Sequence, residues 1–199
     1  MKYLTTKELA ILAILAVVNS VLEISLGSLM HAFKIPNAGV FMIMINLSIY
    51  LLARGIVPKR GIVFIIGFIT AFIKLVYGGE LSRLDPAFAI LMEAGIIEVI
   101  LCVMPLKLYT ALVCGGLTNV FVLFYPFISY AVFGGGIGLA NMGRVFSSMP
   151  VFLVKLGLPI AILFYFCLGL ALGNISWYIS QKLLNLAINK NLFNKTACF

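Results

Sequence analysis

The chain has 199 residues, of which 63% are hydrophobic and only 10% charged, and its mean hydropathy is +1.18. That composition excludes an ordinary soluble domain, because a polar shell cannot cover so much apolar side-chain surface. The formal net charge of +8 does not indicate nucleic acid, since the basic residues are scattered at the ends of apolar runs, where they act as the loop charges that set membrane topology.

Apolar runs of about 20 residues, each long enough to cross ~30 Å of hydrocarbon, recur along the whole length. The reading is all-α: one polytopic integral-membrane domain over residues 1–199, a bundle of six transmembrane helices. The first span covers about 8–30; it is retained as a helix rather than cleaved as a signal peptide, because no small-x-small site precedes a soluble domain. A connector from His31 to Gly39, containing Pro36, leads to the second span at about 40–57, which ends at Pro58-Lys59-Arg60-Gly61. The third span is 62–77, closed by Gly78-Gly79. After a short polar loop, Pro86 occupies the first turn of the fourth span, which runs to about 104 before Pro105. The fifth span is 108–133, with Pro126 expected to kink or end it. A long loop with Gly134, Gly135, Gly136 and Gly138 precedes the sixth span at 151–173, and an amphipathic tail follows at 176–193, with Trp177 as an interfacial anchor.

Lys and Arg orient the bundle. With the N-terminus inside, the inner side holds Lys2, Lys7, Arg54, Lys59, Arg60, Lys107, Lys182, Lys190 and Lys195, and the outer side Lys34, Arg83 and Arg144. That asymmetry places both termini in the cytoplasm of a multi-pass protein of the cell membrane.

Five charged residues interrupt the apolar stretches: Glu23, Lys74, Glu93, Glu98 and Lys155. Each costs roughly 2.5–3.5 kcal/mol at the bilayer centre, on the order of 10 kcal/mol together before pairing. Such residues face a bundle interior and mark ligand paths. Helical rise puts Glu23, Lys74, Glu93 and Lys155 in the outer half of four different spans. Glu98 lies deeper, and at ~100° per residue it points about 140° away from Glu93, so these two cannot form a paired-carboxylate catalytic site.

Two readings stand for the four outer charges: helix-packing ion pairs, or the polar wall of a pocket that hydrogen-bonds a captured ligand. Lys74 and Lys155 also have the option of reaching toward the headgroups. His31 stands either exposed or as part of a lid over the ligand. Tyr77, Tyr125 and Tyr130 fit stacking surfaces or an interfacial belt, and Asn119 fits ligand contact or helix packing. Four scattered cysteines and one histidine make no metal site and imply no cofactor. The Gly134–Gly136 run lacks the Lys-Ser/Thr of a phosphate-cradling loop.

This layout resembles the substrate-binding S components of energy-coupling factor (ECF) transporters. Three segments carry the resemblance: the alanine-rich first helix (Ala10, Ala13, Ala16, here spaced by three), the 26–39 segment ending Pro36-Asn37-Ala38-Gly39, and the 74–79 plus 86–93 region. The resemblance implies capture of a vitamin-like micronutrient from outside, with a transmembrane coupling subunit and two ATPases as partners, ATP hydrolysis on those partners, and no enzyme activity here. It also implies docking on the coupling subunit through Ala10, Ala13 and Ala16, and closure of the 27–39 loop over the ligand. Glu23, His31, Lys74, Tyr77, Glu93, Asn119 and Lys155 are the expected substrate-binding residues. Two rivals are a small membrane enzyme acting on lipid or prenyl substrates, its glutamates serving as acid/base groups or metal ligands, and an autonomous secondary transporter. Against the first, the sequence has no Asp-rich metal motif and no Ser/His pairing; against the second, its halves do not match as inverted repeats.

Overall fold

A computed structural model describes residues 4–33, 38–78, 84–133 and 158–189. Over these residues the chain forms six helices: α1 (Thr6–Ala32), α2 (Ala38–Ile56), α3 (Ile62–Gly78), α4 (Leu84–Val103), α5 (Leu108–Phe133) and α6 (Leu158–Asn189). Five are long and apolar enough to span a membrane, and α3 is a shorter apolar helix. An all-helical fold is what such a sequence demands, because in hydrocarbon every backbone N–H and C=O needs a partner within its own segment.

The ends of the helices follow local chemistry. Thr5 and Glu8 form a reciprocal capping box at the start of α1: the Thr5 N–H donates to Glu8 Oε2 at 2.7 Å, and the Glu8 N–H donates to Thr5 Oγ1 at 3.3 Å. Between α2 and α3 the chain reverses through Pro58 and Gly61, whose φ of +88° is left-handed and favours glycine. Pro105 follows α4, and its carbonyl accepts a hydrogen bond from Thr110 Oγ1 in the first turn of α5.

The fifth span runs over the expected residues, Leu108–Phe133, with Pro126 inside the helix rather than at its end. One sequence expectation needs correction. The expected break between a sixth span and a separate tail is absent: α6 is one helix through Gly173 and Trp177 to Asn189. Residues 151–157 and 190–193 lie outside the described residues. The stretch expected to lie on the interface as a tail instead packs on the bundle. Ser176, Ser180 and Leu184 are buried, and Trp177 contacts the main core cluster rather than standing clear as an anchor.

That core gathers Leu12 and Ala16 of α1, Leu47, Tyr50 and Leu51 of α2, Ile62 and Ile66 of α3, Ala94 and Ile97 of α4, and Ala111 and Cys114 of α5. Small residues set the closest approaches. A methyl group added to Gly115 or Gly169 would run into the other's backbone, so α5 and α6 touch main chain to main chain there. Gly67 of α3 is similarly pressed on Ala94 of α4.

Candidate functional site

Three helices each carry two polar residues one turn apart: Asn19 and Glu23 on α1, Asn46 and Tyr50 on α2, Thr70 and Lys74 on α3. An i,i+4 pair shares one helix face, and packing turns these three faces toward Glu93 of α4. Asn19, Tyr50 and Thr70 show no exposure, Asn46 1%, and Glu23 and Glu93 7% each.

Lys74 Nζ meets Glu23 Oε1 at 2.8 Å, an ion pair joining α1 to α3. Below it, Asn19 Nδ2 donates to Thr70 Oγ1 at 3.3 Å, and Thr70 Oγ1 faces the Ala16 carbonyl at 3.5 Å. Asn46 Nδ2 donates to Glu93 Oε2 at 3.4 Å, joining α2 to α4. Tyr50, Glu23, Glu93 and Lys74 fall within electrostatic reach of one another, and the Tyr50 hydroxyl points at Gly67, where an added methyl would meet it at 3.4 Å.

The cluster is incompletely satisfied. Asn19 Oδ1, Glu23 Oε2, Asn46 Oδ1, Tyr50 Oη and Glu93 Oε1 are buried with no hydrogen-bond partner among the described residues. Buried polar atoms are nearly always paired, and leaving one unpaired costs about 1–3 kcal/mol, more for a charged group. Five such atoms from three helices, α1, α2 and α4, leave the cluster short of partners.

Glu98 is buried to the same degree, at 8% exposure, in a different setting. Its Oε1 accepts the Gly61 N–H at 2.6 Å and its Oε2 the Val63 N–H at 2.9 Å. Those are orphan donors at the start of α3, where the helix dipole also favours an anion. Arg54 Nη1 lies 3.7 Å from Glu98 Oε1, and Cys102 Sγ is at 3.3 Å. The Arg54 guanidinium also donates to the carbonyls of Lys59 and Leu101, while Lys59 Nζ meets Glu8 at 2.6 Å. A third node at the start of α4 joins Asp85 Oδ1 to the hydroxyls of Tyr125, at 2.8 Å, and Ser129. These two nodes hold helices together.

Glu23, Lys74 and Glu93 are thus brought together. Asn119, on α5, is buried, its Nδ2 donating to the Gly115 carbonyl at 3.0 Å and its Oδ1 without a hydrogen-bond partner among the described residues. Tyr77 projects outward, 71% exposed. His31 lies in the last turn of α1, its side chain outside what is described, and Lys155 lies outside the described residues. Of the alanines, Ala10 and Ala13 are exposed, whereas Ala16 has no exposed surface and is occupied by packing within the bundle. Asn19, Asn46, Tyr50 and Thr70 went unnoticed in the sequence, although the repeated four-residue spacing of polar pairs in three successive apolar spans was there to be read.

Among the described residues no group of three or more His, Cys, Asp or Glu is placed to hold a metal. Cys102, Cys114 and Cys167 are free thiols. An apolar groove of about 230 Å³ between α3 and α4, lined by Phe68, Phe72, Leu75, Phe88 and Leu91 among others, offers only hydrocarbon contact. No family model, curated protein or solved structure matches this chain.

Proposed function

We propose that this chain is the substrate-capture subunit of an ECF-type importer, a six-span protein of the cell membrane with both termini in the cytoplasm. A vitamin-like micronutrient enters from outside and binds among Glu23, Lys74, Glu93 and the polar residues beside them on α1–α4. The observation that supports this reading is the set of five buried polar atoms on α1, α2 and α4 that have no hydrogen-bond partner among the described residues. A ligand with complementary groups supplies the missing hydrogen bonds, and the Lys74–Glu23 pair keeps part of the site compensated while it is empty. ATP hydrolysis resides on two partner ATPases, reached through a transmembrane coupling subunit. Ala10 and Ala13, both exposed on α1, remain available to dock that subunit.

Native mass spectrometry of the detergent-purified protein, with identification of molecules released on denaturation, tests the proposal. A stoichiometric vitamin-like solute is expected. Recovery of lipids alone, with no mass shift on challenge with a micronutrient panel, contradicts it and favours an enzyme acting on lipid substrates.

A further inference from the structure

The chemistry of the unpaired atoms narrows the ligand class, resting on the capture reading above. Formal charge comes first. Among the described residues of the cluster the acid and base groups are Glu23, Glu93 and Lys74, so two carboxyl groups face one ammonium. That ammonium is already engaged with Glu23 at 2.8 Å. Glu93 receives a single amide hydrogen bond at 3.4 Å, and no cation meets it at ion-pair distance among the described residues. Among the described residues Glu93 is therefore left without a charge partner.

Hydrogen-bond polarity points the same way. Of the five unpaired atoms, Glu23 Oε2, Glu93 Oε1, Asn19 Oδ1 and Asn46 Oδ1 can act as acceptors, and the Tyr50 hydroxyl can act both ways. The amide orientations follow from their partners. A carboxylate oxygen on Glu93 demands the NH₂ group of Asn46. Thr70 Oγ1, facing the Ala16 carbonyl, is left to accept from the NH₂ of Asn19. Both amide oxygens consequently remain free.

From these two observations we infer that the site takes an organic monocation rich in N–H donors, of the amidinium, guanidinium or primary-ammonium class. Its positive charge lies against Glu93 Oε1, and its remaining N–H groups reach Glu23 Oε2 and the two asparagine oxygens. Charge-assisted hydrogen bonds of this kind are the strong ones, and a planar amidinium or guanidinium presents its donors as a fixed fork. An anionic ligand meets two carboxyl groups, and the one described ammonium that could receive it, Lys74, is already engaged with Glu23. A bare divalent cation of the calcium type calls for six to eight oxygens around one point, more than the free acceptors here provide.

Binding to the purified full-length protein is measured by isothermal titration calorimetry with three isosteric probes: benzamidinium, benzamide and benzoate. Benzamidinium alone is expected to bind. Glu93→Gln, eluting as a monodisperse species, is expected to weaken it by at least about tenfold. Tyr125→Phe, remote from the cluster, leaves it unchanged and controls for general loosening of the bundle. Benzamide or benzoate binding as tightly as benzamidinium overturns the charge assignment while leaving the capture reading intact. Absence of binding by all three overturns the inference, and the capture reading then rests on the mass-spectrometric result alone.

Discussion

Glu93 and Glu98 stand five residues apart on α4, exposed to the same small extent, 7% and 8%. Around Glu98 the bundle provides two backbone N–H groups, a guanidinium and a thiol, so both carboxylate oxygens are occupied and the start of α3 is capped from a neighbouring helix. Around Glu93 it provides one asparagine amide at the edge of hydrogen-bond range and leaves the other oxygen bare. The contrast separates two uses of a buried charge. A carboxylate whose donors all come from the chain is a fastening. One whose donors are missing, beside other unpaired acceptors, is what the proposed capture site needs. Burial alone does not tell them apart; an inventory of donors does.

The sharpest way to break that contrast is Glu98→Ala. It strands the Gly61 and Val63 N–H groups and the Arg54 charge, and should cost about 3–5 kcal/mol, seen as a large fall in the thermal unfolding midpoint in detergent. Lys74→Met comes next, with a loss of about 3 kcal/mol because Glu23 is left buried without its cation. Combining it with Glu23→Leu should recover most of that loss, since an apolar pair often replaces a buried ion pair without penalty; a double-mutant cycle measures the recovery. Tyr125→Phe removes hydrogen bonds to Asp85 and should lower stability by about 1 kcal/mol. Smallest of all, Glu93→Gln should change the stability of the empty protein by less than about 1 kcal/mol, because few native contacts depend on that charge.

Much of the architecture was legible in the sequence because hydrophobic run length and proline placement report directly on helices: the observed limits of α3 and α5 match the reading closely. Pro126 left open a kink or an end, since a lost backbone hydrogen bond does not say whether neighbouring helices hold the chain on course; the helix continues through it. The failure at the C-terminal end has a physical cause. The polar residues after Gly173 looked interfacial, yet Ser176 and Ser180 bond backbone carbonyls, at Met44 and Trp177, and face inward. At the site, charge and depth grouped Glu23, Lys74, Glu93 and Lys155; the first three lie near one another, and Lys155 is outside the described residues. The neutral members were missed because Asn, Thr and Tyr interrupt an apolar run less visibly than an ion does. The alanine motif on α1 divides: three-residue spacing turns Ala16 toward the core and leaves Ala10 and Ala13 outside.

The central claim is that Glu93 serves a ligand while Glu98 serves the fold. Thermal unfolding of the wild type, Glu93→Gln and Glu98→Gln, each with and without benzamidinium, tests it most directly. The account predicts that Glu98→Gln lowers the midpoint of the empty protein yet keeps the ligand-induced rise. Glu93→Gln should leave the empty midpoint nearly unchanged and abolish that rise. If Glu93→Gln unfolds as early as Glu98→Gln, or retains the full ligand-induced rise, the two glutamates do not divide the work in this way.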